Sequence, residues 1–419
     1  MDFELLIVGM DANAYYMARC YHEKYNKKAY LIGKNPIWFT DLSNIVITKY
    51  IDNLWDEEVF LSELEYFYNE HKDSKILLVS STENYIRLIS KNKDILSKMY
   101  YFNYPDNSII DTIINKELFY KTYDGMLNLP KTLYYDCSKD EDLNITFTYP
   151  IIVKAANVVS YRKLSFPNKN KIYKVENLEE LKKIIKNIKD GGYKDTLIIQ
   201  EYIPGDDSHL YDAVIYSDHT GKVKRITLAQ IGLQEHEANM VGNAAILING
   251  FSTFKIDESI INEIVEFSNK IGYKGFAEFD LKYDERDSKF KVLEINSRQG
   301  RSSYYMSAAG CNLIEILKRD LIDKEALDFE VIDKEVMLSF IPRGIVKKYI
   351  VNDEFKAKAL SLWKNHVNPM KYNKDSNLKR NYFLLRRDIK YFKDYKNGYW
   401  KNSWGEVCKK KRSYYKIHL

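Results

Sequence analysis

Short apolar runs alternate with amphipathic stretches at the amino-terminal end of the chain. The predicted strands there are residues 3–8, 29–32 and 76–80, and the predicted helices are residues 14–25 and 83–90. Asp11 or Asn13 can cap the first helix, because short polar side chains accept hydrogen bonds from the first turn. Strand, turn, helix and strand in that order indicate a doubly wound, largely parallel sheet. We therefore predict a Rossmann-like domain over residues 1–111.

The middle of the chain mixes helices and strands in an order typical of α+β domains. The predicted helices are residues 115–125, 178–188, 260–271 and 312–322, and the predicted strands are residues 151–154, 172–175, 197–203, 210–216 and 222–233. The last two strands flank a polar turn and predict an antiparallel pair. We assign residues 112–335 to this domain, and residues 336–419 to a basic, aromatic carboxy-terminal segment.

Residues 275–303 predict a hairpin with a polar end. In the first strand, residues 275–283, apolar and polar side chains alternate, and residues 284–288 form a turn without an apolar residue. The second strand, residues 290–295, places Glu294 and Asn296 on one face, because side chains two apart in a strand point the same way. Antiparallel pairing would bring Asp280 close to both.

Two carboxylates and an amide oxygen make a hard oxygen site, which magnesium prefers, with water and phosphate filling its other positions. Arg298 and Arg301 follow the hairpin and can each bind a phosphate or a carboxylate through two hydrogen bonds. The alternative is that Glu294 and Asn296 only form a solvated strand end or cap the next helix.

The composition is that of an ordinary globular protein of two or three domains, with 419 residues, 45% of them hydrophobic and 29% charged. No apolar run of about 18 residues exists, so no membrane span is predicted. The first residues lack the pattern of a secretory signal. The cysteines are far apart, without a CxxC pair, at positions Cys20, Cys137, Cys311 and Cys408. We expect buried thiols and a cytoplasmic location.

Charge is unevenly distributed along the chain. Residues 341–419 contain 21 Lys and Arg but six Asp and Glu, a net charge of +15, whereas the rest carries −10. This asymmetry favours an anionic partner for the carboxy-terminal segment, with a solvated basic face as the alternative. A nucleic-acid binder is a further possibility, although no recognisable DNA-binding motif supports it.

Motifs of several other chemistries are missing from the sequence. It contains no GxSxG and no HExxH, and its 7 histidines lack ligand spacing. The turn after the first strand, residues 9–13, reads GMDAN and not GxGxxG, which argues against dinucleotide binding there. Chemistry that depends on metals, cations and orientation, as phosphoryl transfer does, needs no protein nucleophile.

The hairpin resembles the metal-binding end of the ATP-grasp fold. LEINSRQG, residues 293–300, is similar to the family motif E-[IMV]-N-x-R, and Asp280 takes the place of the first acid in preference to Glu278. The resemblance implies that Asp280, Glu294 and Asn296 hold the magnesium ions of Mg-ATP. It also implies that the domain over residues 112–335 has two lobes with the nucleotide between them.

Two lysines lie in motifs that resemble the phosphate-binding elements of the same family. Lys116, in NKELFYKTYDGMLNLPKT, resembles the D-K-x-x-x-[FY] helix, and Lys154, in YPIIVKAAN, resembles the strand-end lysine of [FY]-P-x-[IV]-V-K-P. Both would lie near the ATP phosphates, where a compact positive charge offsets negative charge. A solvated lysine is the alternative for each.

The stretch IQEYIPG, residues 199–205, resembles the adenine-binding hinge strand of the family. The resemblance implies that Glu201 accepts a hydrogen bond from the adenine amino group and that the backbone of Tyr202 and Ile203 contacts the rest of its edge. Asp207, or else His209, would reach the ribose hydroxyls. A simple strand followed by a turn is the alternative interpretation.

One loop departs from many ATP-grasp enzymes, because residues 155–163 contain no glycine. Ser160, Arg162 or Lys163 would then replace glycine-rich backbone over the phosphates. This loop, with MDANAYYMARCYHEKYNKKAYLIGK near the start and EINSRQGRSSYY after the hairpin, resembles the D-aspartate ligases of Gram-positive cell-wall synthesis. In that family ATP converts the β-carboxylate of D-aspartate into an acyl phosphate. The lysine side chain of a muramyl pentapeptide precursor then forms the amide.

We therefore predict a carboxylate–amine ligase that uses ATP and Mg²⁺. Its acid substrate would be a small amino acid with two carboxylates, one of them held by Arg298 or Arg301. The amine would arrive on an anionic molecule such as a nucleotide-linked muramyl peptide, attracted by the basic segment. The alternatives are a ligase for other amino acids, peptides or small carboxylates, a nucleotide-binding protein without turnover, and a nucleic-acid binder.

Overall fold

The structure is a computed structural model that describes residues 3–139, 143–236, 240, 242–250 and 258–402. The chain divides into two compact units. Unit 1 combines Met1–Ile110, Asp206–Asp280 and the described residues from Asn296 onward, and unit 2 combines Asp111–Gly205 and Leu281–Ile295. The predicted hairpin therefore contributes residues to both units.

The described strands and helices follow the predicted order closely. The strands are β1 (Phe3–Val8), β2 (Ala29–Gly33), β3 (Val46–Tyr50), β4 (Lys75–Ser80), β5 (Thr132–Asp136), β6 (Ile151–Ala155), β7 (Ile172–Val175), β8 (Thr196–Glu201), β9 (Leu210–Ser217), β10 (Val223–Gln234), β11 (Ala244–Asn249), β12 (Gly275–Asp284), β13 (Lys289–Asn296), β14 (Glu330–Val331) and β15 (Val336–Ser339). The helices are α1 (Ala12–Tyr25), α2 (Trp38–Asp41), α3 (Glu57–Glu70), α4 (Glu83–Lys91), α5 (Lys93–Leu96), α6 (Asn107–Ile114), α7 (Lys116–Thr122), α8 (Val158–Lys163), α9 (Leu178–Asp190), α10 (Ser259–Lys270), α11 (Tyr304–Ala308), α12 (Leu313–Leu321), α13 (Arg343–Tyr349), α14 (Asp353–Ser361) and α15 (Leu378–Asn402).

The first sheet of unit 1 is parallel, with the strand order β3-β2-β1-β4. This confirms the predicted α/β sheet. Asp11, and not Asn13, caps α1, because its carboxylate accepts a hydrogen bond from the Ala14 amide at 3.0 Å. Strand β3 was not predicted, because it is largely exposed and therefore lacks the apolar run of a buried strand.

Gly9 directly follows β1 and lies beside Ser81, which directly follows β4. Its amide donates to the Ile32 carbonyl at 2.8 Å, and its φ of +132° lies in a region that favours glycine. A Cβ atom at this position would lie 1.9 Å from Ser81 Oγ. Glycine is therefore required here by both conformation and space.

The second sheet has the order β13-β12-β9-β10-β11-β15, and β14 pairs with β10. The turn between β12 and β13 is too short for a parallel crossover, so these strands form the predicted hairpin. In unit 1, β9 pairs antiparallel with β10, as predicted, and β10 also pairs antiparallel with β11, a strand that the sequence pattern does not predict. Within unit 1, the parallel sheet and this sheet contribute to one hydrophobic core, which includes α1 and α12.

The described part of the carboxy-terminal segment, which was set apart in the sequence from residue 336, belongs to unit 1. Strand β15 pairs antiparallel with β11, with Leu247 opposite Leu338, and so extends the second sheet of unit 1. The apolar residues of the segment, among them Phe355 and Met370, are buried in the core of that unit. The composition of the segment is basic, so composition alone did not predict that its apolar residues are buried in this core.

A buried ion pair ties the same segment to the parallel-sheet part of unit 1. Arg380 and Asp375 are both almost completely buried, with Arg380 Nε 3.2 Å from Asp375 Oδ2. Tyr15 of α1 donates to Asp375 at 2.8 Å, and the Arg380 guanidinium lies 4.1 Å from the centre of the Tyr15 ring. Removing either charge would leave the other buried without its partner, which costs about 3–5 kcal/mol.

Unit 2 contains an antiparallel sheet of order β5-β8-β6-β7, against which α9 packs its apolar face. The predicted strand at residues 197–203 ends at Glu201, so Tyr202 and Ile203 follow the strand and are not part of it. The loop without glycine, residues 155–163, is partly helical. Asn157 caps its short helix α8 by accepting from the Ser160 amide at 3.1 Å.

Two further expectations concern the whole chain. Within the described residues, no helix combines the length and the apolar character needed to cross a membrane. Cys20, Cys137 and Cys311 are free and buried, as predicted, whereas Cys408 lies outside the described residues. Burial raises the pKa of each of these three thiols to about 12, so they are unreactive at neutral pH.

Candidate active site

Unit 2 brings together three of the residues selected from the sequence. Lys116 begins α7 and Lys154 lies near the end of β6, while Glu294 lies on β13. Lys116 Nζ is 2.7 Å from Glu294 Oε1. Lys154 Nζ donates to the Tyr120 hydroxyl at 3.0 Å, and this hydroxyl donates to the Leu293 carbonyl at 2.5 Å. One strand, one helix and one hairpin thus gather two cations around a single carboxylate.

The local structure explains why Lys116 occupies this place. Asn115 caps α7 through its side chain, which accepts from the amides of Glu117 and Leu118 at 3.1 and 3.2 Å. The cap fixes the first turn of the helix, and Lys116 is the first residue of that turn. The asparagine of NKELFYK is therefore a structural part of the motif.

The cluster lowers the pKa of both Glu294 and Lys154. Desolvation opposes the charge on Glu294, but the ammonium of Lys116, with smaller effects from Lys154 and Lys171, lowers its pKa to about 2. Desolvation, followed by repulsion from Lys116, lowers the pKa of Lys154 to about 7, although Glu294 counteracts this. At neutral pH the cluster thus holds a carboxylate, a charged Lys116 and a partly protonated Lys154.

Glu201, predicted to bind adenine, has protein partners in unit 2. Its Oε1 accepts from the Lys131 amide at 2.9 Å, and its Oε2 accepts from Arg286 Nη2 at 3.0 Å. Adenine recognition by this carboxylate would require an exchange of at least one of these bonds. Tyr202 and Ile203, the other predicted adenine contacts, are buried, and Lys174 Nζ lies 4.6 Å from the centre of the Tyr202 ring.

In unit 1, the hairpin brings Asp280 and Asn296 into contact. Asn296 Nδ2 donates to Asp280 Oδ2 at 3.3 Å, so these two side chains lie on the same face of the hairpin. The predicted metal set contains only oxygen donors, which is the chemistry that magnesium prefers. In the part of the chain that the structure describes, no group of three or more His, Cys, Asp or Glu could hold a metal. The predicted magnesium set differs from such a group, because it consists of the carboxylates of Asp280 and Glu294 and the amide of Asn296.

Glu278, the acid that was not selected from the sequence, points its carboxylate into unit 1. The Ser302 and Ser303 hydroxyls donate to it at 3.3 and 3.1 Å, and Ser302 also donates to Asp212 of β9. Burial, and then the charge of Glu278, raises the pKa of Asp212 well above its usual range. Burial likewise raises the pKa of Glu278, so burial disfavours the charge on both carboxyl groups.

Gly300 makes room for this carboxyl pair. A Cβ atom at position 300 would lie 1.1 Å from Glu278 Oε2, so no side chain fits there. The glycine of NSRQG is therefore required by packing. Asp212 was missed from the sequence, although a lone aspartate inside the apolar strand LYDAVIYS was a usable signal.

Asp207, predicted to reach the ribose, has both carboxylate oxygens occupied within unit 1. Oδ2 accepts from the Gln234 amide at 2.9 Å, and Oδ1 accepts from Gln234 Nε2 at 2.8 Å. The alternative candidate, His209, has its Nδ1 3.4 Å from Asp206 Oδ1. A ribose would have to compete with these contacts.

The two arginines after the hairpin lie in different surroundings. Arg301 is buried in unit 1, where its Nη2 lies 2.5 Å from Glu235 Oε1 and its guanidinium lies 4.1 Å from the centre of the Phe340 ring. Arg298 instead lines an open cavity, and its Nη1 donates to the Gln299 carbonyl at 3.1 Å. Of the two, Arg298 is the one in a position to meet a ligand.

The cavity has a volume of about 200 Å³ and is lined by Asp11, Ser81, Thr82, Glu83, Asn84 and Arg298. It lies where β1 and β4 end, and these neighbours are the strands at which the order of the parallel sheet reverses. Open α/β sheets bind ligands at this kind of position. No side-chain hydrogen bond caps α4, so its amino-terminal amides can meet an anion.

Both acidic and basic side chains line the cavity. The acids Glu83, Glu278 and Asp11 raise the pKa of Arg298 although desolvation opposes this, so the guanidinium is charged. Desolvation raises the pKa of Asp11, while hydrogen bonds from Ala14 and Ser81 and the charge of Arg298 oppose the shift. Asp11 was predicted only as a helix cap, and residues 81–84 were not selected from the sequence, because their convergence depends on the sheet order.

Comparisons with known proteins place these features in context. No family model matches the chain. A D-aspartate ligase of Enterococcus faecium (strain Aus0004) is 31% identical over 399 residues, which cover 90% of this chain and 92% of that protein. This relationship is close and long enough to show the family.

Solved structures share the fold at low sequence identity. An L-amino acid ligase from Bacillus licheniformis has a TM-score of 0.53 at 15% identity, covering 76% of this chain and 74% of that one. An N5-carboxyaminoimidazole ribonucleotide synthetase in its ADP complex has a TM-score of 0.58 at 13% identity, covering 87% and 97%. The fold is therefore the predicted ATP-grasp fold with a Rossmann-like amino-terminal part, and the chain belongs to the D-aspartate ligase family of carbon–nitrogen ligases.

Proposed function

We propose that this protein uses ATP to activate the β-carboxylate of D-aspartate and joins it to an amine, the lysine side chain of a peptidoglycan precursor peptide. The observation that carries the proposal is the cluster of Lys116, Lys154 and Glu294 in unit 2. Two lysine side chains beside one carboxylate suit a metal–phosphate group, because the lysines can offset the negative charge of the phosphate. The family relationship supplies the choice of D-aspartate.

The chain supplies charge and position, and ATP supplies the leaving group. Lys116 and Lys154 would bind phosphate oxygens, because their ammonium groups are compact charges already held near each other. Glu294, Asp280 and Asn296 would hold magnesium, which lowers the repulsion between phosphates and the incoming carboxylate. ATP phosphorylates the carboxylate and leaves as ADP, and the amine then displaces phosphate to form the amide.

The nucleotide contacts proposed for unit 2 are Glu201 with the backbone of Tyr202 and Ile203. Glu201 ends a central strand and its carboxylate is held in place by Lys131 and Arg286. A carboxylate held in this way can accept from an amino group once Arg286 moves. Asp207, and less directly His209, are proposed for the ribose.

The cavity at Arg298 is proposed to hold the amino-acid substrate. An amino acid carries a carboxylate and an ammonium, and the cavity offers a partner for each. Arg298 and the uncapped end of α4 suit a carboxylate, whereas Asp11 and Glu83 suit an ammonium. The proposed acceptor is a larger anionic molecule, which the basic residues after position 341 would attract over a distance.

The test of the function is phosphate release from ATP with different acids and acceptors. D-aspartate together with a nucleotide-linked muramyl pentapeptide is expected to stimulate release, and D-alanine is not. A monocarboxylic substrate would leave a cationic group unpaired, which costs about 1–3 kcal/mol, or about tenfold to a hundredfold in discrimination. Raising the salt concentration should weaken acceptor binding more than ATP binding.

Equal stimulation by D-alanine, L-amino acids and D-aspartate would contradict the choice of substrate. The general ligase proposal would then remain, with another amino acid, peptide or small carboxylate as the acid. ATP binding without phosphate release under any combination would favour the alternative of a nucleotide-binding protein without turnover.

A second prediction separates the roles of the two arginines. Arg298→Gln is expected to raise the KM for the acid substrate by about tenfold to a hundredfold while ATP affinity stays within about twofold, because one bidentate contact is lost. Arg301→Gln is the matched comparison. It should lower the melting temperature, because Glu235 is then left buried without its partner.

Steady-state kinetics and thermal denaturation of both variants provide the measurements. If Arg301→Gln remained as stable as the wild type and raised the KM for the acid, the assignment of the two arginines would have to be reversed.

A further inference from the structure

The long helix α15 presents an apolar stripe to the outside of unit 1. Five large side chains along it are exposed by about half or more, and they are Leu378, Tyr382, Leu385, Ile389 and Phe392, with values of 92%, 57%, 58%, 62% and 48%. Their spacing alternates between four and three residues, so at 3.6 residues per turn they fall within about 80° of arc. Exposed apolar side chains in such a row mark an interaction surface.

The opposite side of α15 holds the helix on the protein. Tyr391 donates to Glu235 Oε1 at 3.0 Å, and Tyr395 donates to the Gln234 carbonyl at 2.6 Å. Both tyrosines are buried, as is Arg380 at the start of the helix. The orientation of the helix is thus fixed by its buried face, and the apolar stripe points away from the body of unit 1.

Positive charge borders the stripe along one side. The exposed charged residues of α15 up to residue 397 are all basic, namely Lys379, Arg386, Lys390, Lys393 and Lys396. Two aspartates of the helix, Asp388 and Asp394, are only partly exposed. They form ion pairs, Asp388 with Lys371 at 2.6 Å and Asp394 with Lys390 at 3.8 Å. The exposed face thus combines apolar side chains with a row of exposed cations.

We propose that the exposed face of α15 docks on an anionic lipid surface, lying in the plane of the headgroups. A helix of this kind buries its apolar residues at the boundary between headgroups and acyl chains, while its cations attract anionic lipids. Tyr382 and Phe392 suit the interface because aromatic rings partition there. Lys396, in line with the stripe, can extend its ammonium to the headgroups.

Charge argues against a second copy of this chain as the occupant. In a parallel pair of α15 helices, Lys396 would face its own copy across the seam. In an antiparallel pair, the flank of Lys379, Arg386 and Lys393 would face itself. Either arrangement brings like charges together, whereas an anionic membrane neutralises them.

The test is co-sedimentation of the full chain with lipid vesicles. We expect binding to vesicles of phosphatidylglycerol mixed with phosphatidylcholine and at least tenfold weaker binding to phosphatidylcholine alone. Raising the salt from about 0.1 M to about 0.5 M should weaken binding, because the Debye length becomes shorter. Equal binding to both vesicle types, or binding to neither, would overturn the proposal.

Two variants with matched controls locate the surface. Replacing Arg386, Lys390 and Lys393 by Gln should weaken binding by about a hundredfold, since each cation near an anionic surface contributes roughly tenfold or less. The control replaces Lys182, Lys183 and Lys186 of α9, which are also exposed, and changes the net charge equally. If both triple variants lost the same affinity, the effect would come from total charge and not from α15.

The second variant, Leu385→Glu with Ile389→Glu, should abolish vesicle binding, whereas Ile95→Glu should not. Ile95 is a comparable control because 51% of it is exposed in the same unit. Sedimentation equilibrium of the wild type identifies the other occupant. A dimer that the double variant dissociates, in a protein that does not bind vesicles, would show that the stripe joins two copies.

Discussion

Replacing Glu294 by Gln is expected to leave a folded protein that has lost ligase activity by about a hundredfold or more. Glutamine keeps the shape of the side chain but removes the charge that faces Lys116 at 2.7 Å. It also removes one of the two carboxylates proposed for magnesium. A preorganised charge at the reacting phosphate contributes about this much in other enzymes. The measurement is amide formation at saturating ATP and magnesium, with circular dichroism to verify the fold.

Glu285→Gln is the control for this variant, because Glu285 is an exposed acid in the turn of the same hairpin. It should have wild-type activity and a wild-type response to magnesium. Turnover of Glu294→Gln close to that of the wild type, at ordinary magnesium concentrations, would contradict the proposed metal role. The contact with Lys116 would then be a structural ion pair of unit 2.

Lys154→Ala should weaken ATP binding by about tenfold to a hundredfold and leave adenosine binding within about twofold. The proposed partner of Lys154 is a phosphate, and a hydrogen bond between charged groups contributes about 1.5–3 kcal/mol. Only ATP carries that charge, so only ATP should lose affinity. Titration calorimetry with both ligands measures the difference. Lys182→Ala, an exposed lysine in the same unit, should change neither affinity.

The low pKa of Lys154 allows a second test of its phosphate role, by the proton uptake that accompanies ATP binding. Desolvation and the nearby Lys116 lower that pKa to about 7 in the free protein, and a bound triphosphate should raise it again. Near pH 8 the free lysine is mostly neutral, so ATP binding should take up close to one proton, and near pH 6 almost none. ATP affinity should therefore fall as pH rises above about 7. Lys154→Ala should remove the uptake.

A variant that loses equal affinity for ATP and adenosine would contradict the phosphate role.

Local pattern was enough to predict much of the fold and part of the site. The alternation of residues in β12 and β13 predicted the hairpin, and within unit 1 the contact of Asp280 with Asn296 follows from it. The motifs around Lys116 and Lys154 selected residues that unit 2 brings to one carboxylate. The hairpin could be predicted because its residues are close in sequence, and the two lysines were selected because they lie in motifs that resemble a known family.

The sequence could not reveal features that depend on pairing between distant segments. From the sequence, Arg301 and Arg298 were equal candidates for binding a carboxylate. In the folded protein Arg301 is paired with Glu235. The cavity at Arg298 needs β1 and β4 to be neighbours, which strand content alone does not specify. The raised pKa values of Asp212 and Glu278 arise from burial, and burial is a property of the folded state.

The division of the chain into units has a consequence for its synthesis on the ribosome. The last residue of unit 2 is Ile295, whereas unit 1 still requires β15 and the helix α15, which ends at Asn402. At about 5–20 residues per second, the ribosome needs roughly 5–20 s more to reach that point. During this interval β11 exposes an edge that β15 will later cover, so the nascent chain should depend on chaperones just then. A stop codon before residue 336 should therefore yield an aggregating protein, even though the residues of unit 2 and the hairpin would all be present.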